Sequence, residues 1–307
     1  MAKIKCIDVS EWQGNIDFTK VMTSGIDCVI LRAGFGREAS QVDLKFERNY
    51  KNAKAAGLKV GAYWYSYAED LADAKLEAEA CLEVLKGKKF ELPVFYDMEE
   101  AFQTSLGEAV LTRMAEAFMQ ALEKGKFRPG IYANLNWFNN YLNYKELKES
   151  WYIWLAQYHT SAQLACDMWQ YTSSGTVLGI SGGVDMNIIY NNDLIGGEDM
   201  RTELKKGDKG LDVLCLKNNL QVAADLGIVD FKMTPGNATF GEGTEKAVKA
   251  VQKTLGLKQT GVVDVSFVNK LYSMIKANYP IAGDVNGDGK VNIKDATAIQ
   301  KQIAGKK

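Results

Sequence analysis

P-V-F-Y-D-M-E-E, residues 93–100, is the stretch on which the rest of the chain is organised. An apolar, aromatic run that closes on acids reads as a buried strand delivering carboxylates to an open end. Side chains alternate along a strand, so Asp97 and Glu99 share one face, about 6 to 7 Å apart at the backbone, while Met98 and Glu100 point the other way. Two neighbouring carboxyls push their pKa values apart, leaving one protonated to donate and the other ionised to stabilise positive charge. Glycoside cleavage needs that division of labour. In isolation the same Asp-x-Glu is more often a helix cap beside a solvated acid. The company it keeps decides between the two.

The 307 residues suffice for one large domain and one or two small ones. With 47% apolar and 24% charged residues, the composition is that of an ordinary globular protein. A net charge of −1 gives no long-range attraction to nucleic acid or to an anionic membrane, so neither is expected as a partner. Cys6, Cys28, Cys81, Cys166 and Cys215 are odd in number and widely spaced, which points to reduced thiols rather than a disulfide framework or zinc site. His159, the only histidine, has no Cys or His at ligand spacing. The start M-A-K-I-K-C-I-D-V-S enters a strand pattern with no apolar leader region. The expectation is synthesis in a cytoplasm, unless a leader has been removed.

Outward from 93–100, short apolar runs alternate with amphipathic stretches from Ile4 to about Asn192, as in a β/α architecture. Strands are expected at 4–9, 28–33, 59–66, 93–99, 130–134, 152–158, 168–172 and 184–189. Helical periodicity is clear over 43–56, 70–85 and 107–122 and weak after Asn136. Eight strands predict a closed barrel, irregular in its second half, with its chemistry at the C-terminal edge of the strands. The acids near strand ends are Asp8, Asp97, Glu99 and Asp185. Around them stand Tyr63, Tyr65, Tyr132, Trp154 and Trp169, whose rings suit a saccharide groove, although strand aromatics are as often core. Arg32 is a candidate partner for a cleft carboxylate, or a structural ion pair.

D-V-S-E-W-Q-G at Asp8, A-A-G-L-K-V-G-A-Y-W-Y, Y-D-M-E, I-Y-A-N, W-L-A-Q-Y, W-Q-Y and G-V-D-M-N, in this order and spacing, resemble glycoside hydrolase family 25. The resemblance spans about the first 190 residues. It implies an N-acetylmuramidase cutting the β-1,4 bond between N-acetylmuramic acid and N-acetylglucosamine of peptidoglycan, on a flattened, irregular (β/α) barrel, with no cofactor for catalysis. It makes Glu99 the general acid and Asp97 its partner, with Asp8 and Asp185 lining the cleft. Tyr63, Tyr65, Tyr132, Trp154 and Trp169 become subsite walls. Two mechanisms are compatible with the family. One retains configuration through attack by the substrate's 2-acetamido group; the other inverts it through a water held between acids.

The catalytic barrel is assigned to 1–192, a linker to 193–200, a small helical domain to 201–278 and a terminal repeat to 279–307. Val213, Leu216 and Leu220 form one helical stripe and Ala247, Val248 and Val251 another. With Gly207, Gly210, Phe240, Gly241, Thr244, Gln252, Leu257 and Gly261, they resemble the type 1 peptidoglycan-binding domain. Two stretches depart from it. L-K-N-N-L stands where a glutamine is usual, and P-G-N-A-T-F-G where Asp-Gly usually precedes the phenylalanine.

G-D-V-N-G-D-G-K-V-N-I-K-D fits an EF-hand-like calcium loop, with oxygens from Asp284, Asn286, Asp288, the Lys290 carbonyl, Asn292 and Asp295. It resembles a single dockerin repeat, where dockerins carry two, which favours a calcium-stabilised clip or self-association over docking to another protein. An internal start at Met200, after G-G-E-D, would add a tail fragment able to associate with the full chain. The leading expectation is a peptidoglycan hydrolase acting as a phage lysin. The alternatives are a non-cutting wall-glycan adaptor and a chitinase-like glycosidase. Intact Asp97 and Glu99 speak against the adaptor, and the lack of a longer run of alternating acids speaks against the chitinase.

Overall fold

The computed structural model describes residues 4–196, 203–231 and 237–278. The calcium-loop residues Asp284, Asn286, Asp288, Lys290, Asn292 and Asp295, and Met200, lie outside them. Eight strands close into a barrel in chain order. They are β1 Ile4–Val9, β2 Cys28–Phe35, β3 Lys59–Tyr65, β4 Val94–Asp97, β5 Pro129–Asn134, β6 Tyr152–Ala156, β7 Met168–Gly175 and β8 Val184–Ile189. All eight stand where the pattern of apolar runs predicts. From β1 to β7 each neighbour is parallel, whereas β8 pairs antiparallel with both β7 and β1.

Helices α1 Phe18–Thr23, α2 Phe46–Ala56, α3 Leu71–Leu85, α4 Glu108–Lys124, α5 Leu135–Asn140 and α6 Tyr144–Ser150 connect the first six strands. The β6–β7 and β7–β8 connections contain no helix. A parallel neighbour needs a crossover of a dozen or more residues, so the short connection after β7 returns the chain antiparallel.

Strand alternation sorts the apolar residues into two cores. Cys6, Cys28, Ile30, Phe95, Tyr132, Trp154, Met168 and Ile189 fill the barrel. Ile7, Val29, Leu31, Val60, Ala62, Tyr96, Ile131 and Leu155 face outward, beneath the helices. The interior is narrow: a Cβ at Gly130 would stand 2.5 Å from the Phe95 ring, so only glycine fits there. On the outside, Phe118 of α4 stacks on Tyr96 at 3.9 Å between centroids. Asp70 starts α3 by accepting the Asp73 N–H.

Of the boundaries that differ from expectation, two bear on the organisation of the chain. β4 stops at Asp97, so Glu99 stands in the following loop, not in the strand. Pairing continues one residue further, since Met98 N–H donates to the Tyr132 carbonyl at 3.0 Å, and Met98 is buried in the outer layer. The linker expected from residue 193 is tied to the barrel as far as Gly196. Arg128 donates to the Asp193 and Leu194 carbonyls, Gly196 N–H donates to Glu91 O, and Leu194 is buried.

The small domain packs α7 Leu211–Asp225, α8 Glu242–Thr254 and α9 Val265–Asn278 against a two-stranded ribbon, β9 Glu203–Leu204 and β10 Val263–Asp264. Val213, Leu216, Leu220, Phe240, Val248, Val251, Phe267 and Leu271 form its core, including both predicted stripes.

Phe118→Ala removes the ring that seals α4 onto β4 and should cost about 3–5 kcal/mol of stability. Urea unfolding checks this, and a loss below about 1 kcal/mol would show that the stack contributes little.

Candidate active site

The mouth is built where β1, β2, β3 and β4 end and where β8 begins. Asp8, the fifth residue of β1, is 7% exposed. Its Oδ2 accepts from Asn187 Nδ2 at 2.7 Å and from Gln170 Nε2 at 3.1 Å. These amides are themselves fixed. Trp154 Nε1 donates to Asn187 Oδ1 at 2.8 Å, and the Tyr132 hydroxyl donates to Gln170 Oε1 at 3.0 Å. Asp185 pairs directly with Asp8 across the antiparallel β1–β8 ladder. It reaches the mouth from the first half of its strand because β8 runs the opposite way.

Asp97 ends β4 and is 5% exposed. Its Oδ1 is buried and accepts no hydrogen bond. Glu99 is half-buried in the loop beyond. All four acids are raised. Asp8 is pushed up to about 8, first by burial and then by Asp185, against the pull of the two amides. Asp97 is raised by burial, then by Glu99 and Asp8, with Arg32 opposing. Glu99 is raised by burial, then by Glu100 and Asp185, and Asp185 by burial. Low dielectric and like charge both favour the neutral acid, so this cluster retains protons that exposed carboxyls would lose.

Arg32 takes the structural option. Its Nε donates to Asp43 Oδ2 at 2.7 Å and its Nη2 to Glu11 Oε1 at 2.6 Å, so it lowers Asp97 from a distance without bonding to it. Asp43 also accepts the Glu11 N–H at 3.0 Å, which pins the loop after β1.

The aromatic expectations divide. Tyr63 lies against the acids, which together with burial raise its pKa. The Tyr65 hydroxyl donates to Glu100 Oε1 at 2.7 Å, and Tyr132 forms part of the floor. Trp154 and Trp169 are corrected. Trp154, 1% exposed, fills the barrel and holds Asn187, so no sugar can lie on it. Trp169 alternates to the outer layer, where its indole donates to Gln157 O.

Residues that sequence reasoning did not assign are Gln170, Asn187, Glu11, Asp43 and four exposed aromatics. The aromatics are Trp12 (80% exposed), Tyr67, Phe102 and Tyr158, all in loops that follow mouth-side strand ends. The signal was available for several: Trp12, Tyr67, Tyr158, Gln170 and Asn187 all lie in or beside the quoted motifs. Tyr67 packs on Phe35 and Tyr65 at 6.0 and 5.0 Å. Its N–H is held at 2.7 Å by the buried Glu77, which also accepts from Tyr96 at 2.6 Å. Among the described residues no cluster of three His, Cys, Asp or Glu is placed to hold a metal ion. The five cysteines are unpaired, and no described helix is long and apolar enough to cross a membrane.

A closed α/β barrel with two acids at one strand end and exposed aromatics in the following connections is an arrangement suited to glycoside hydrolysis. Comparison with known proteins gives the family. Residues 7–180 match the model of the glycosyl hydrolases family 25, and the chain belongs to that family. A peptidoglycan binding domain matches residues 211–271, and a dockerin type I domain residues 282–307.

Among curated relatives, the autolytic lysozyme of Clostridium acetobutylicum is 27% identical over 259 residues, covering 83% of this chain and 74% of its own. The CTP1L endolysin, whose activity is regulated by a secondary translation product, is 30% identical with a TM-score of 0.55, covering 62% of this chain and 68% of its own. The autolysin LytC of Streptococcus pneumoniae, solved with a synthetic peptidoglycan ligand, is 25% identical with a TM-score of 0.56 over 61% of this chain. This chain spans 47% of that protein's length.

The raised Asp8 sets a pH dependence. The folded chain keeps this proton up to about pH 8, whereas an unfolded aspartate loses it near 3.9. Between those values the folded state binds more protons, so this group makes stability fall as pH rises. Asp8→Asn should lose less stability than the wild type between pH 4 and pH 8 in urea titrations. Parallel profiles would mean that Asp8 ionises normally.

Proposed function

We propose that this chain hydrolyses peptidoglycan, cutting the β-1,4 bond after N-acetylmuramic acid with retention of configuration through the substrate's own acetamido group. One observation carries the reading: beside Glu99, Asp97 presents a buried oxygen with no hydrogen-bond donor. A buried acceptor left unpaired is costly, and an amide N–H entering from a hexosamine would satisfy it. Asp97 loses its proton to solvent as the amide donor enters, and its carboxylate accepts the acetamido N–H and stabilises the oxazolinium-like intermediate formed when the acetamido oxygen attacks the anomeric carbon and the leaving oxygen takes the proton of Glu99. Glu99, half-buried and raised, donates a proton to the leaving oxygen and takes one from the incoming water. Asp8 is held by two amide donors and serves as a fixed wall of the cleft, not as the nucleophile. Likeness to an autolytic lysozyme and to an endolysin supports a wall substrate and a lytic role.

Glu99→Gln should fold normally and lose at least about 100-fold in turnover on purified cell walls, the usual size of a general-acid contribution. NMR of the first product formed should show the β anomer, whereas early α anomer would establish inversion. The adaptor reading predicts no reducing ends from walls at all.

We further infer a calcium ion in the loop from Asp284 to Asp295, supported by the ligand spacing and by the dockerin match. Calorimetric titration of the chain should show one calcium per molecule, abolished by Asp288→Ala. A flat titration removes the site.

A further inference from the structure

The two asparagines of L-K-N-N-L, where the sequence leaves the wall-binding pattern, have a use in the structure. Asn218 Nδ2 donates to the Ala56 carbonyl at 2.7 Å, and more loosely to Ala55 O, at the C-terminal end of α2. Those are carbonyls that a helix end leaves without partners. Asn219, 2% exposed, turns its amide toward the Sδ of Met22 in α1 and bonds Cys215 O at 3.0 Å. About two turns earlier, Asp212 Oδ1 accepts from Lys59 Nζ at 2.8 Å. Lys59 is the first residue of β3, and Asp212 is in the first turn of α7, where a negative charge is favoured.

The barrel's surface is shaped to match. Gly57, with φ +92°, ends α2, and a Cβ there would stand 2.8 Å from the Cys215 backbone nitrogen. Only glycine admits both that backbone and that approach. Gly25, φ +79°, lies under the Tyr272 ring of α9, and Cys215 packs against the barrel's outer apolar layer. Charge pair, helix cap and two glycine seats therefore join the same two surfaces.

All of these barrel groups belong to α1, α2 and the N-terminal ends of β2 and β3. The catalytic acids stand at the other end. Lys59 and Tyr65 terminate the same strand, six residues or about 20 Å apart. We propose that α7 is a built docking face that fixes the small domain to the base of the barrel. The wall-binding domain and the catalytic mouth are then held at a fixed separation, and the enzyme acts on assembled wall in preference to single soluble glycan chains. The substrate part of this inference rests on the reading of the chain as a wall hydrolase; the docking part does not.

The native thiol tests docking without any mutation. Cys215 in the folded wild type should react with iodoacetamide about 100-fold or more slowly than in urea, because labelling waits on local opening. Labelling at the unfolded rate overturns docking. The charge-reversing, cap-removing pair Asp212→Lys with Asn218→Lys should label quickly at Cys215 and cut soluble uncross-linked glycan strands as the wild type does. On intact sacculi it should be slower by about 10-fold, because a domain held only by its linker has a lower effective concentration at the wall than one held rigidly. Equal rates on sacculi, with Cys215 freed, overturn the role of the fixed separation. Co-sedimentation separates the underlying reading: if the wild type does not sediment with sacculi, wall binding fails, while the thiol result still decides docking.

Discussion

The structure depends on keeping four carboxyl groups together in one largely dry mouth. Burial raises all four, and like charge adds to it at Asp8, Asp97 and Glu99. A fold holds such a cluster only if its members are separately restrained. Asp8 is restrained by the amides of Asn187 and Gln170, which Trp154 and Tyr132 fix from within the barrel. Asp97 has no such donors and depends on the packing of β4 between β3 and β5. That contrast divides labour: the bonded acid is a wall, and the unbonded one is available to substrate.

Positive charge is supplied sparingly. Arg32 sits at the mouth end of β2 but is bound on two sides by Asp43 and Glu11, so its field reaches Asp97 while its donors do not. A direct ion pair would hold Asp97 permanently ionised and occupied. Distance leaves the carboxyl able to respond to a ligand. The loops carrying Trp12 and Tyr67 are anchored by buried acids, Asp43 and Glu77 respectively, which accept backbone N–H groups. The aromatic rim is thus held in place from below.

The opposite end of the barrel shows a different economy of residues. The glycines at 25 and 57 are there for approach, and the asparagines at 218 and 219 for capping and fit. A helical domain with an ordinary apolar core becomes part of a larger unit because a handful of polar contacts fix its orientation. The resulting separation of catalytic mouth and docked domain is about one barrel height.

The sequence by itself determined the eight strands, the first helices, both stripes of the small domain and the four acids, because all of these are local: an alternation of two, a period near 3.6, an acid after an apolar run. It identified the acid-bearing loop but placed Glu99 within the strand, since a pattern of alternation does not mark where a ladder stops. Only the tertiary structure decided that β8 runs backwards and brings Asp185 beside Asp8, that Trp154 and Trp169 are packing residues, and that Asn187 and Gln170 hold the cleft. Each of these depends on which strand lies next to which and which face turns inward, relations between residues up to 179 positions apart, as for Asn187 and Asp8. Such pairings are settled by closure of the barrel, and no local pattern encodes them.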